Sequence, residues 1–315
     1  MIFVVGAGRS GTTLLARCIG RHPRVFKLNE KRYVWMYGGY WRSHDRREAD
    51  EVTPRIESHI RQYFANQFSA SDCDFLVEKT PSNCLRIGFV QRIFPKARFV
   101  HIVRDGRAVS LSSTRAYVGK RIVSTENALA GERTPQQRLA NLSLRYPNFV
   151  NRFRDLDLPP SGWPAYATVK GSELLQTLLS SRPPVWGVRY PGIHTDRRSY
   201  SPLVRAGLQW RESVTYCLDG LKQHVPQEQQ LEVRYEGLVR QPLETLLHVF
   251  KFLNLQLEHQ EVERIADAIK ESSVDKWRKE LNETQQQELR EHIDPTLTQL
   301  GYLARANAHP NVENV

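Results

Sequence analysis

Ile2-Phe3-Val4-Val5-Gly6-Ala7-Gly8-Arg9-Ser10-Gly11-Thr12-Thr13 follows the first methionine, and Leu14-Leu15-Ala16-Arg17-Cys18-Ile19 comes directly after it. The four apolar residues read as a buried strand, the glycine-spaced stretch as a turn and the remainder as a helix. Glycines let backbone close round an anion, and the helix aims its free N–H groups and positive dipole end at that anion. The spacing matches the phosphate loop G-x-x-x-x-G-K-[ST], except that Thr12 stands where the lysine belongs. A loop with the cradle but without that lysine is poorly suited to the terminal phosphate of ATP or GTP. The same residues satisfy G-x-G-x-x-G, and Glu30 follows where a ribose-binding carboxylate is expected, so the loop alone leaves a dinucleotide site open. Two hydroxyls at the helix start, with Arg9 and Ser10 inside the loop, favour a dianionic group instead.

Lys96-Ala97-Arg98-Phe99-Val100-His101-Ile102-Val103 reads as a second buried parallel strand, entered after Pro95. It ends in Arg104-Asp105-Gly106-Arg107-Ala108, where Asp105 is placed to cap a helix that carries Ser112 two turns on. Arg104 and Ser112 then meet at the carboxyl end of a strand, where open α/β sheets bind ligands. An ATP site has no need of this second anion grip. A nucleotide with a separate 3′-phosphate does.

These two segments resemble the PAPS-dependent sulfotransferases, with Gly6–Thr13 as the 5′-phosphosulfate loop and Arg104 with Ser112 as the 3′-phosphate pair. Within that family the chain is most similar to the branch holding the tyrosylprotein sulfotransferases and bacterial relatives. His22-Pro23, Glu30-Lys31-Arg32, Glu78-Lys79-Thr80-Pro81 and Val103–Ala108 carry that likeness, followed by Arg234-Tyr235-Glu236-Gly237-Leu238-Val239, Lys276-Trp277 and Leu300-Gly301-Tyr302. The motifs span nearly the whole chain in the family's order.

The resemblance implies sulfuryl transfer from PAPS to an acceptor hydroxyl, giving PAP and a sulfate ester, with the work lying in positioning and electrostatic stabilisation. Arg9 and Lys79 are the candidates for stabilising the departing nucleotide. Lys79 follows Phe75-Leu76-Val77-Glu78 at a strand end, which by itself also suits a solvated loop lysine. Glu30 ends the strand after the first helix, where the family places its catalytic carboxylate and where a general base must lie. Gly8, Ser10, Gly11, Thr12 and Thr13 are the expected backbone and hydroxyl donors to the 5′-phosphate. Tyr235 resembles the family's tyrosine near adenine, with plain packing as the alternative. Lys276 is placed to reach the nucleotide phosphates, and Arg115 sits one position from a phosphate arginine of the relatives. His101 reads as a satisfied core residue and His22 as part of the turn that ends the first helix, so neither is taken as the base. No metal is expected: the reacting sulfate is singly charged, and the histidines lack ligand spacing.

With 315 residues, 40% of them hydrophobic, the chain is long enough for one large α/β domain. The mean hydropathy is −0.52 and no stretch approaches a membrane span. The first apolar run leads straight into the loop, so a secretory signal is not expected. Known tyrosylprotein sulfotransferases carry an anchor before the catalytic domain, so its absence here points to the bacterial type. Cys18, Cys73, Cys84 and Cys217 show no C-x-x-C spacing and read as reduced packing thiols of a cytoplasmic protein. The net charge of +11 suits a polyanionic nucleotide. Nucleic acid is the competing polyanion, but the arginines are scattered and no nucleic-acid module is recognisable. A kinase-like enzyme or a dinucleotide oxidoreductase is the alternative function, which Thr12 and the Arg104–Ser112 pair disfavour.

Alternation predicts a P-loop-type parallel sheet with helices on both faces. The strands are predicted at Ile2–Val5, Val25–Asn29, Phe75–Glu78, Arg98–Val103 and Leu231–Tyr235, and the early helices at Thr12–Arg21, Pro54–Phe68, Asn83–Ile93 and Gly106–Arg115. Later helices are predicted at Pro242–Leu253, near Glu261–Glu271 and at Glu283–Leu300. Residues 120–225 read as a mostly helical insertion that shapes the acceptor pocket, within a single domain over 1–304; residues 305–315 read as a disordered tail. Trp35, Tyr37, Tyr40 and Trp41 form an expected mobile aromatic segment after Glu30, and Trp186–Gly192 an expected loop at the pocket. Arg42, Arg46 and Arg47 suit an acidic acceptor or, more simply, a solvated basic face. Aromatic walls fit a phenol, an alcohol, a carbohydrate or a peptide tyrosine equally well.

Overall fold

The computed structural model describes residues 1–69, 71–118, 159–179, 185–270 and 274–303. Its centre is a parallel sheet of five strands: β1 (Ile2–Val5), β2 (Val25–Lys27), β3 (Phe75–Glu78), β4 (Arg98–Val103) and β5 (Gln230–Arg234), in the order β2-β3-β1-β4-β5. β1 lies in the middle, pairing Ile2 with Val77 on one side and Phe3 with Phe99 on the other. All four of its residues are buried, as a parallel strand covered on both faces requires.

Alternation along the strands feeds two cores. Phe3, Val5, Leu76 and Phe99 face one side, where α3 (Pro54–Ser69) and α4 (Ile87–Ile93) pack. Phe3 stacks on Phe99 with ring centroids 5.4 Å apart. Ile2, Val4, Val100 and Ile102 face the other side, against α1 (Thr12–Ile19) and a pair of helices from the C-terminal half, Pro242–Phe252 and His259–Asp267. Helices therefore cover both faces. The described part of the insertion is helical too: α6 (Trp163–Leu179), α7 (Ile193–Ser199) and α8 (Pro202–His224). α8 packs beside α5 (Gly106–Val118), burying Trp210 and Val214 with Val103, Ala108 and Leu111.

Several boundaries differ from expectation, each for a local reason. α1 stops at Ile19 because, after the Gly20 N–H bonds the Ala16 carbonyl, the Arg21 N–H closes on the nearer Cys18 carbonyl and the chain turns. β2 ends at Lys27; the Leu28 N–H still donates to Val77, but Lys31 N–H then bonds the Thr80 hydroxyl at 3.0 Å and draws the chain off the sheet. Glu30 therefore lies in the segment beyond β2 rather than at its end. Asn83–Ile93 is divided: Pro81–Leu85 is a 3-10 turn, and α4 begins only after Arg86. Tyr235 is the first residue of a helix, Tyr235–Arg240, and not the last of β5.

Trp35 is not part of a mobile segment. It closes α2 (Arg32–Trp35), is 0% exposed and packs 5.2 Å from Phe64, between centroids. The arginines after it all have partners: Arg42 and Arg46 stay partly exposed but ion-paired, and Arg47 is buried. Arg42 pairs with Glu51 at 2.5 Å and Arg46 with Glu48 at 2.5 Å, while buried Arg47 donates to the Tyr37 carbonyl at 2.6 Å and lies over Phe89. Residues 120–158, Pro183-Pro184 and the tail 305–315 lie outside the described residues.

Candidate active site

β1, β3, β4 and β5 all deliver a candidate residue at their carboxyl ends, so the site sits where an open parallel sheet binds ligands. The loop after β1 needs unusual backbone: Arg9 has φ 70° and Gly11 φ 98°. A Cβ on Gly11 would stand 2.5 Å from the Tyr235 ring, so the tyrosine packs directly on the loop backbone. Arg9, a non-glycine residue in the left-handed region, is held there from two sides. Its carbonyl accepts from Arg104 Nη1 at 3.1 Å, and its Nε donates to Ser112 Oγ at 3.2 Å. The predicted 5′-loop and the predicted 3′-phosphate pair are thus one connected unit.

Beside that unit lies a cavity of about 390 Å³ bordered by Gly11, Thr12, Thr13, Ser112, Tyr235 and Trp277. Arg9, Arg104, Arg115 and Lys276 also line it, and among the described residues no carboxylate does. Four cations without a lining anion describe a polyanion site. Arg115 is nevertheless ion-paired with Glu280, so it enters the cavity already partnered. Arg104 is 5% exposed and stacks over Tyr235 at 4.1 Å. Burial lowers its pKa, with the Arg9 charge adding to the effect against Tyr235, Glu236 and Asp105, so an incoming anion relieves an electrostatic penalty.

The turn after Arg104 is held by hydrogen bonds on both sides. Asp105 caps α5 as expected, accepting from the Arg107 N–H at 2.9 Å, and Trp210 Nε1 donates to the Arg104 carbonyl at 3.0 Å. Ser10 departs from its expected place: it lines no described cavity, is 0% exposed, and its N–H is spent on the Ala7 carbonyl at 3.1 Å. Its hydroxyl is buried without a hydrogen-bond partner among the described residues.

A second cavity, of about 200 Å³, shares Arg9, Thr12 and Thr13 with the first and adds Gly8, Glu30 and Trp186. Consecutive residues of α5 divide between them, Ser112 facing the larger and Ser113 the smaller. Glu30 has a 53% exposed side chain and accepts from Lys79 Nζ, whose own side chain is 9% exposed. The loop expected at the pocket is there, contributing Trp186, Gly187 and Val188. Asp45 and Gln209, which with Arg32 hold this wall together, had no motif in the sequence to mark them. Among the described residues no cluster of His, Cys, Asp or Glu is arranged to hold a metal ion.

Glu78, beside Lys79, is fully buried and accepts from the Thr80 hydroxyl, from Asn83 Nδ2 at 2.9 Å and from Trp35 Nε1 at 3.4 Å. Burial outweighs these donors and the charges of Lys79 and Arg86, pushing the carboxyl up from 4.5 to about 7. Between those values the folded chain keeps a proton that the unfolded chain has released, so stability falls as pH rises across the window and levels off above it. Glu78→Gln is expected to flatten that fall, read from urea midpoints between about pH 5 and 8. His101 is core, as expected, but not satisfied: both ring nitrogens lack a partner among the described residues, and burial holds its pKa down to about 4. His22 does close the turn after α1, accepting from the Arg24 N–H at 3.0 Å and meeting the Gln256 carbonyl at 3.2 Å.

Comparison with known proteins agrees with this geometry. Protein-tyrosine sulfotransferase 1 of Danio rerio is 30% identical over 120 residues, 34% of this chain and 33% of that protein. The protein-tyrosine sulfotransferase of Drosophila melanogaster is 33% identical over 119 residues, 34% of this chain and 24% of that protein. The match therefore spans a third or less of these relatives' length. The crystal structure of a sulfotransferase from Mycobacterium avium has the same fold, at TM-score 0.51 and 14% identity, covering 95% of this chain and 76% of that one. A family model described as sulfotransferase family matches residues 2–160, just over half of the chain. The Gly6–Thr13 loop, the Arg104–Ser112 pair and the Glu30–Lys79 pair all lie inside that stretch, and the chain belongs to the sulfotransferase family.

Proposed function

We propose that this chain is an enzyme that moves a sulfuryl group from PAPS to the hydroxyl of an acceptor, leaving PAP and a sulfate ester. The meeting of two cavities at Arg9, Thr12 and Thr13 carries the reading: a cationic one of nucleotide size, and a smaller one bordered by Glu30. Arg104 and Ser112 hold the 3′-phosphate, and Gly11, Thr12 and Thr13 hold the 5′-phosphate. Glu30 takes the acceptor proton as the acceptor oxygen bonds to sulfur and the bond from sulfur to the nucleotide's bridging oxygen breaks. Lys79 and Arg9 stabilise charge on the departing phosphate. Tyr235 and Lys276 border the nucleotide, and no metal is needed in any of these roles. The acceptor is a hydroxyl compound; a phenol, an alcohol, a carbohydrate and a peptide tyrosine are its chemical candidates.

Residues 1–304 serve as one catalytic domain in this reading, with the helices from α6 to α8 walling the acceptor side. No helix among the described residues is long and apolar enough to cross a membrane. Cys18, Cys84 and Cys217 are free and buried, which supports work in a reducing compartment such as the cytoplasm.

Thermal unfolding with PAP, ATP/Mg2+ and NADP+ added separately tests the reading. At 100 times its Kd a ligand stabilises by roughly 2.7 kcal/mol, a shift of several degrees. PAP is expected to give the largest shift. A shift confined to ATP/Mg2+ or NADP+ would hand the site to a kinase-like or dinucleotide enzyme.

A further inference from the structure

Arg32 is a cation in the wall of the acceptor cavity, and its charge is already committed. Nη2 donates to both carboxylate oxygens of Asp45, at 2.8 and 2.9 Å, and Nη1 donates to the Gly187 carbonyl at 3.0 Å. The Asp45 side chain is 0% exposed and that of Arg32 26%. Asp45 is gripped from a second direction. The Arg189 N–H donates to its carboxylate at 2.8 Å, its own N–H donates to the Arg189 carbonyl at 2.6 Å, and Arg86 stands 3.9 Å away.

A buried carboxylate with this many donors holds a guanidinium firmly. Seen from the cavity, the two charges nearly cancel. Drawing Arg32 onto an acceptor carboxylate would leave Asp45 buried with one charged partner fewer, a costly exchange. Away from the phosphate loop, the rest of the described wall offers little to an anion. Pro81, Trp186 and Val188 present apolar and aromatic surface. The Thr80 hydroxyl is engaged by Glu78, Ser82 Oγ accepts from Arg86 at 2.6 Å, and Gln209 donates to the Trp186 and Val188 carbonyls at 2.9 and 2.6 Å.

We propose that Asp45 sets acceptor specificity: by occupying Arg32 it makes the cavity select uncharged phenols, whose reacting hydroxyl has no carboxylate beside it. The proposal rests on the sulfuryl-transfer reading. Asp45 is a positioning residue here, acting through Arg32.

Two acceptors with the same phenol and the same length separate charge from everything else: the N-acetylated, amidated tripeptides Asn-Tyr-Asn and Asp-Tyr-Asp, each at saturating PAPS. The uncharged acceptor is expected to have the higher kcat/KM, by about tenfold or more, with a KM little affected by ionic strength. Asp45→Asn is expected to shift the ratio by about tenfold toward the acidic tripeptide, a change that a purely structural role would not produce. Preference of the natural chain for the acidic tripeptide, or an unchanged ratio in folded Asp45→Asn, overturns the proposal. Should Asp45→Asn fail to fold, the ratio and its salt dependence in the natural chain decide. Thermal stabilisation by PAP without transfer to the uncharged phenol overturns this inference alone. No stabilisation by PAP overturns the transfer reading beneath it.

Discussion

Glu30→Gln is expected to lower kcat by about 10²- to 10⁴-fold, the usual worth of a general base, while the Kd for PAP stays unchanged. The separation follows from the geometry. Glu30 borders the smaller cavity and is absent from the lining of the nucleotide cavity, so its loss should not reach the phosphates. Its hydrogen bond to Lys79 suits two steps at once. In the proposed reaction the ammonium orients the carboxylate beforehand; once Glu30 has the acceptor proton the pair would lose its charge attraction, and Lys79 would be left to face the leaving phosphate. Glutamine keeps the shape and a hydrogen-bond acceptor for Lys79 but cannot take a proton at neutral pH. Single-turnover rates, with PAP affinity measured by calorimetry, separate chemistry from binding. Turnover at the natural rate in Glu30→Gln would remove Glu30 from the base role.

The parts of this site that sequence made legible are those whose logic is local. A strand, a glycine loop and a helix N-terminus are consecutive in Ile2–Ile19, and Arg104, Asp105 and Ser112 lie close together in the chain between the end of β4 and the second turn of α5, so spacing alone predicts both anion grips. What could not be read depends on contacts across the fold. Trp35 lies among aromatics that look exposed, yet Phe64 of α3 buries it. Arg42 and Arg46 look like a basic face until Glu51 and Glu48 fold back on them. Ser10 belongs to the loop motif, but the turn that places Gly11, Thr12 and Thr13 at the cavity carries Ser10 inward. Asp45 had no signature at all. Its importance comes from Arg32, Arg86 and the Arg189 backbone converging on one buried carboxylate from three separate segments.

Arg104→Ala is expected to weaken PAP binding by about 100-fold, whereas adenosine 5′-monophosphate, which is PAP without the 3′-phosphate, should lose far less. A charge-assisted hydrogen bond is worth about 1.5–3 kcal/mol, and Arg104 presents a guanidinium fork rather than a single donor. The side chain also has a structural share in the site, donating to the Arg9 carbonyl at 3.1 Å and lying 4.1 Å over Tyr235. Truncation therefore loosens the loop as well as removing the charge, and loosening costs both nucleotides alike. The difference between the two affinities isolates the 3′-phosphate contribution, because only PAP carries that group. Arg104→Lys supplies the control. It restores the charge without the planar fork, so it should recover part of the PAP affinity and, with it, part of the discrimination. Equal losses for both nucleotides would assign Arg104 to holding Arg9 and Tyr235 in place, and the 3′-phosphate would then fall to Ser112 with Lys276 or Arg115.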